Sequence, residues 1–432
     1  MRNVLIRIFA GVDLFAPIAI YRSTDGVKNY YVMSNGRVKR ENNTLVIESQ
    51  STGLKRPIPV EDVESLYVFG EVDLNSKLLN FLSQKRIALH IFNYYGHYSG
   101  TFHPREYLHS GFLLVKQAAH YSNRVQRVAL ARETVQASAH SIMRTLGYYV
   151  RRKPGSAAVE AAEPAGEIAP TSEAMNPAAE VDFSEQEAQI DATVRVESLV
   201  LDLEPDAMGD AGYDEISGLP VGVAEEPSRE SLAGIYASIE SLAGQLADAP
   251  NVDVLRGLEG KMRERYYSAW GDILVDDWRL ERRVRRPPDN ELNALISFGN
   301  SWLYTVCLGE IYRTQLTPTI AYLHEPGDRR FSLALDLSEL FKPLIVDRVI
   351  FKLINTRQMD TSHFDKSMEG CLMNESGKKI FLKELEDKLA TTIKHRRLGR
   401  SVSYRQLIRL ECYKLVRHLT GLDKYKAFRA WW

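Results

Sequence analysis

A chain of 432 residues is longer than one ordinary core requires, so two domains plus an irregular segment is the first expectation. With 44% apolar and 26% charged residues, its composition is neither fibrous nor membrane-embedded. The three cysteines, Cys307, Cys371 and Cys412, are far apart, odd in number and outside any C-x-x-C pair, which predicts reduced thiols in a cytoplasmic protein.

Residues 1–28 include LIRIFAGVDLFAPIAIY, apolar but broken by Asp13 and Pro17 and too short to span a bilayer. No convincing small-residue cleavage site follows, so the stretch reads as an N-terminal extension or as a start placed too far upstream, and no membrane association is expected. Residues 29–105 carry strand signals. YYVMSNGRVKRENNTLVIES holds β-runs around the turn pairs Asn35-Gly36 and Asn42-Asn43. IPVEDVESLYVFG adds a buried-type strand, and VDLNSKLLNFLSQKR sets Leu74, Leu78, Leu79 and Leu82 at helical spacing. IALHIFNYYGHYSGTF returns to strand, punctuated by Gly96 and Gly100. These signals predict a small β-rich domain with one helix.

From residue 106 the period turns helical, and 106–153 opens an α-helical domain with Arg124, Arg127, Arg132 and Arg144 among its polar positions. Residues 154–230 interrupt it with nineteen acids against two bases, a local charge of −17 in the composition of a disordered or weakly structured insert. Because the whole chain carries −1, the remainder carries +16. A basic body points to a polyanionic partner, nucleic acid first. The insert is either a spacer or a tethered competitor for that basic surface. Residues 231–432 resume the helical pattern in SLAGIYASIESLAGQLADAP and NELNALISFGNSWLYTVCLGEIYRTQL. The predicted fold class is α+β multidomain: a small N-terminal β-domain followed by a mostly α-helical domain.

Three segments of the second domain carry ligand-type side chains. In LRGLEGKMRERYY, Leu255, Leu258, Met262 and Tyr266 recur on one face, and Glu259, Arg263 and Tyr267 fall along a neighbouring stripe. Taken alone, that stripe reads first as a surface Glu–Arg pair at i,i+4. Gly257 and Gly260 flank Glu259 at a cost in helix stability, for which close approach by another element or a ligand is one reason. His324 ends TPTIAYLHE just before the turn EPGDRR, where a capping or surface histidine is the plain alternative. In FSLALDLSELFKPLIVDR, Asp336 and Glu339 open a helix in the spacing of a capping box, with Pro343 inside it. One imidazole and three carboxylates form a donor set that suits Mg2+ or Mn2+ working on phosphate. Lys342 and Arg348 are candidate phosphate contacts or members of a solvated basic face.

The set GLEGKMRERYY and AYLHEPGDRRFSLALDLSELFKPLIVDR resembles the catalytic domain of the CRISPR-associated adaptation integrase family, the metal-dependent DNase of spacer acquisition. The first domain is similar to that family's N-terminal β-domain. The resemblance implies that Glu259, His324 and Glu339 are metal ligands, with Glu339 standing where the family often has Asp and Asp336 supporting the site. It implies an endonuclease and integrase that inserts spacer fragments into a CRISPR repeat by attack of a 3′-hydroxyl, with a Mg2+ or Mn2+ cofactor. It further implies a homodimer through the β-domains, double-stranded DNA as substrate and a small ferredoxin-like adaptation partner. Arg263, Tyr267, Lys342 and Arg348 are the candidate DNA contacts. The basic run KHRRLGRSVSYRQLIRLECYKLVRH either tracks the DNA backbone or is an amphipathic terminal helix, and Tyr404, Trp431 and Trp432 either stack on bases or dock on the core. A homologous integrase of a mobile element or repair pathway, and a non-catalytic nucleic-acid-binding scaffold, are the other two readings.

Overall fold

In the computed structural model, residues 18–22, 28–105, 108, 110–151, 167–168, 230–275, 278–284, 287–326, 331–367 and 370–431 are described. The acidic insert lies outside them apart from Glu167–Ile168 and Glu230, as do most of residues 1–28 and Trp432.

The first region contains strands β1 (Ile18–Arg22), β2 (Lys28–Val32), β3 (Gly36–Glu41), β4 (Thr44–Ser49), β5 (Lys55–Pro59), β6 (Val63–Val68) and β7 (Val72–Asp73). Helix α1 (Ser76–Gln84) and strands β8 (Ala88–Phe92) and β9 (Tyr98–Phe102) complete it. Two sheets form, ordered β1-β2-β6-β8-β9 and β5-β4-β3-β7. Ile18–Arg22, inside the stretch read as an extension, pair antiparallel with β2 and so belong to the first sheet. Asn42 takes a positive φ of 54° in the β3–β4 turn, a conformation asparagine tolerates.

The period of two along β2 and β6 sends alternate residues to two different cores. Tyr30, Val32, Leu66 and Val68 pack with Leu45 and Ile47 of the second sheet and with Leu78, Phe81 and Leu82 of α1. Tyr31, Tyr67, Phe69 and Phe92 face the other way and join the core of the helical region. Their rings stack, Tyr31 on Tyr67 at 4.6 Å and Phe69 on Phe92 at 4.3 Å, and Phe69 reaches Phe298 across the boundary at 5.3 Å.

The helical region comprises α2 (Gly111–Ser122), α3 (Arg124–Val150), α4 (Leu232–Gly244), α5 (Val252–Ser268), α6 (Trp270–Ile273), α7 (Glu291–Tyr312), α8 (Ser332–Phe341), α9 (Val346–Asn355), α10 (Glu375–Ala390) and α11 (Tyr404–Leu419). Short strands β10 (Glu167–Ile168), β13 (Thr392–Lys394) and β14 (Ser401–Ser403) form one small sheet, and β11 (Phe364–Ser367) with β12 (Gly370–Met373) another. α7 is buried on nearly every side, as its apolar sequence requires, and forms the axis of the bundle. α3 crosses α4, α5 and α8. The α+β class expected from the sequence is the observed one, and no described helix is long and apolar enough to cross a membrane. Cys307, Cys371 and Cys412 are free and buried.

The last helix decides between the alternatives left open for the C-terminal run. Tyr404 is fully buried beneath Lys388, so it docks on the core instead of stacking on bases. Arg405 and Arg409 turn inward to Glu64, Glu310 and Glu386.

Candidate active site

α5 starts where Asn251 accepts a hydrogen bond from the Val254 N–H, which satisfies one donor of the first turn. Its apolar stripe is buried as the spacing predicts, at Leu255, Leu258, Met262 and Tyr266. That leaves Glu259 and Arg263 on the flank facing α8. Neither Gly257 nor Gly260 has a protein atom within 4 Å of where a Cβ would sit, so no neighbouring element explains these glycines.

α8 departs from the expected capping box. It begins at Ser332, with no side chain capping it, because the apolar run Leu333, Ala334 and Leu337 is already helical and buried. Asp336 therefore sits on the second turn, one turn inside the end it was expected to cap. The helix stops at Phe341, ahead of Pro343 and not around it: Lys342 keeps helical dihedrals and donates to the Ser338 carbonyl, but proline has no N–H to extend the ladder. α3 fixes this end: Ser141 donates to the Leu340 carbonyl and Thr145 to the Pro343 carbonyl.

His324 lies on the loop between α7 and α8, which is pinned from outside. Gln117 of α2 donates to the Thr317 and Ile320 carbonyls, and Arg127 of α3 to the Tyr322 carbonyl and to Glu325. From inside, Asp336 accepts the N–H groups of Tyr322, Leu323 and His324 at 2.8–3.1 Å. His324 Nδ1 lies 2.8 Å from Asp336 Oδ1. A carboxylate oxygen only accepts, so Nδ1 carries the proton and Nε2 is left as the ring's free lone pair. The imidazole pKa is raised: burial opposes the charged ring, and the hydrogen bond and charge of Asp336, with the charge of Glu339, overcome that opposition.

Glu339 is buried with both oxygens paired, one to Lys342 and the other to Arg263. Burial alone would raise its carboxyl, yet Lys342, Arg263 and His324 hold it down to about 2. The same Arg263 nitrogen is 3.5 Å from Glu259 Oε1 and 3.5 Å from Ser138 Oγ of α3. Glu259 is raised, by burial first and by the neighbouring Glu339 charge second. Behind Arg263, Asp347 of α9 is pushed by burial up to about 7.

Glu259, His324 and Glu339, read from segments up to 80 residues apart, thus share one electrostatic site, with Asp336 fixing the imidazole. Two of the candidate DNA contacts are already paired inside the site. Arg263 has a side chain only 12% exposed and is an internal counter-charge between the carboxylates. Lys342 sits on Glu339. Tyr267 is half-buried against Tyr266 and Trp270, and burial pushes its phenol up to about 12. Arg348 follows Asp347 on α9, about 100° further round the helix. The sequence reading held the i,i+4 pair of Arg263 with Glu259 only as a surface pair, and missed that Arg263 also bridges to Glu339, 76 residues away.

One imidazole and two carboxylates match the preferences of Mg2+ or Mn2+. Burial first, and the neighbouring Glu339 charge second, oppose an ionised Glu259, and a cation held beside it would favour that form. Among the described residues no three His, Cys, Asp or Glu side chains are arranged around one ion, both Glu339 oxygens being taken by Lys342 and Arg263. The donor types and their convergence fit an ion, provided that one cation yields its place on Glu339.

The profile of the family described as CRISPR associated protein Cas1 matches residues 30–194 and 222–387. A Moorella thermoacetica relative named CRISPR-associated endonuclease Cas1 2 is 39% identical over 94% of this chain and 100% of its own. The solved CAS1 protein from Thermotoga maritima aligns with a TM-score of 0.68 at 37% identity, covering 93% of this chain and 100% of that one. A casposase bound to an integration product shares the fold, with a TM-score of 0.65 at 16% identity over 91% of this chain and 92% of that one. With the profile spanning well over half of the sequence and this relative matched end to end, the chain belongs to the CRISPR-associated Cas1 family.

Proposed function

We propose that this protein is a metal-dependent DNA endonuclease and integrase that inserts spacer fragments into a CRISPR repeat. The observation that carries the reading is the convergence of Glu259, His324 and Glu339 beside a basic body. Membership of a family with a relative named as an endonuclease supports it. The 3′-hydroxyl of a fragment attacks a repeat phosphorus, one P–O bond forms as another breaks, and the repeat 3′-oxygen leaves. The exchange conserves phosphodiester bonds and needs no external energy source. Water in place of the hydroxyl gives hydrolysis. Glu259, the Nε2 of His324 and Glu339 would hold Mg2+ or Mn2+, which when bound supplies charge neutralisation at the scissile phosphate. Asp336 keeps the imidazole proton on Nδ1 and the ring in one orientation. Arg263 holds the two carboxylates toward each other. The working assembly in this proposal is a homodimer through the β-domains, joined to a small ferredoxin-like partner.

The test is strand transfer of a labelled 3′-hydroxyl duplex into a supercoiled repeat-bearing plasmid with Mn2+ or Mg2+ and the partner present. Metal-dependent joining is expected in wild type and is abolished in His324→Ala and Glu339→Ala, while DNA binding survives. Joining that persists in both variants moves the chemistry elsewhere. Binding without joining in wild type favours the scaffold reading.

A further inference from the structure

The pairs on Glu339 give the site a charge balance of its own. Glu259, Glu339 and Asp336 supply three formal negative charges, and Arg263 and Lys342 supply two positive ones. A divalent ion added to this set leaves a surplus of one, and both oxygens of Glu339 are already occupied. One of the resident cations has to move. Arg263 is the poor candidate: it is always charged, and one of its nitrogens spans Glu259 and Glu339 on two helices and reaches Ser138 on a third. Lys342 is the good one. It follows the last turn of α8, holds a single carboxylate oxygen and swings on a flexible four-carbon stem.

We infer that Lys342 occupies the metal position on Glu339 until the ion and the DNA phosphate arrive, so that the protein loads its metal weakly without DNA and tightly with it. The inference rests on the metal reading above. Displaced from Glu339, the ammonium stays at the C-terminal end of α8, where the helix dipole favours a cation and a phosphodiester finds a charge partner. The phosphate also brings the negative charge that the surplus requires. Lys342 is on this account a positioning residue that couples two binding events.

The experiment is Mn2+ binding to the full-length protein, followed by calorimetry and by the loss of the free-ion paramagnetic resonance signal. It is run with and without a short duplex whose 3′ ends are dideoxy. Without DNA, Lys342→Met is expected to bind Mn2+ about tenfold tighter than wild type, an effect in the usual range for coupled sites. DNA is expected to tighten Mn2+ binding by wild type and by Lys342→Arg, and to do so much less in Lys342→Met. Glu339→Gln is expected to lose the Mn2+ site. Equal or weaker Mn2+ binding by Lys342→Met, with Glu339→Gln still losing the ion, overturns the role of Lys342 and leaves the metal reading standing. Mn2+ binding indifferent to Glu339→Gln overturns both. Thermal unfolding of each variant checks its fold, and Lys342→Gln carries the comparison if the methionine variant does not fold.

Discussion

Asp336 spends its acceptor capacity on one loop: three backbone N–H groups and one imidazole N–H converge on a carboxylate that is 3% exposed. Asparagine has the same shape but one acceptor oxygen, and its amide hydrogens would meet N–H donors. Asp336→Asn should therefore cost about 1–3 kcal/mol of stability, the cost of leaving buried donors unsatisfied. It should reduce strand transfer roughly 10- to 100-fold, the usual effect of removing the group that orients a ligating histidine. The pH profile separates this role from simple loosening. Asp336 raises the His324 pKa, and an imidazole protonated on both nitrogens offers no lone pair. Activity is therefore lost as pH falls through that raised value, and in Asp336→Asn the acid limb moves to lower pH while the plateau drops. The stability effect has the opposite sense: the contribution of the charged ring is present below its ordinary pKa and lost as pH rises through the raised one. Strand transfer and thermal melts from pH 5.5 to 8.5 measure both, and an unmoved acid limb would remove Asp336 from the positioning role.

At the scale of the element, α5 shows what a periodic pattern conveys and what it cannot. Its buried stripe is local information, since residues three and four apart share a face, and so Leu255, Leu258, Met262 and Tyr266 were legible as core. The partner of Arg263 was not, because Glu339 lies 76 residues away on a helix whose placement depends on α3 and the bundle. The start of α8 was misplaced for a related reason. A short apolar run reads alike as strand or buried helix, and only the fold shows that Ser332 is already helical. The Gly257 and Gly260 positions yield a prediction at this scale. Each is exposed with open space at its Cβ position, so replacement by alanine relieves the helix penalty without a clash. Gly257→Ala and Gly260→Ala should each raise stability by about 0.5–1 kcal/mol, read in urea titrations. Unchanged or lowered stability would show that the glycines relieve a strain absent from the helix geometry.

For the whole molecule, the question is how the β-domain is held against the helical region that carries the site. The aromatic face of the first sheet supplies apolar adhesion, and buried ion pairs supply register. Glu64 on β6 meets Arg313, just past α7, and Arg405 of α11 at 3.4 Å. Arg405 continues to Glu310 at 3.5 Å and Glu386 at 3.8 Å, and Arg409 closes on Glu310 at 2.7 Å. Tyr31 donates to Glu386 and accepts from the Trp302 N–H, so the aromatic face and the charged cluster meet at one phenol. None of this was legible in the sequence, where Glu64 and Arg405 stand 341 positions apart. Removing one partner from such a cluster strands buried charge, which typically costs 3–5 kcal/mol, so Glu64→Gln should lower unfolding free energy by about 3 kcal/mol at pH 7. The pH dependence follows from the depressed carboxyls. Burial alone would raise Glu64, but Arg313 and Arg405 hold it down to about 2, and Glu310 is lowered by Arg409 and Arg313. Stability from such groups is complete above the ordinary carboxyl pKa and is lost as pH falls through the folded value. Urea unfolding of wild type should weaken steeply from about pH 4.5 toward pH 2, and in Glu64→Gln that slope should be shallower by the share of one carboxyl. An identical slope in the two proteins would mean that the cluster is solvated and that the aromatic face alone sets the placement of the two regions.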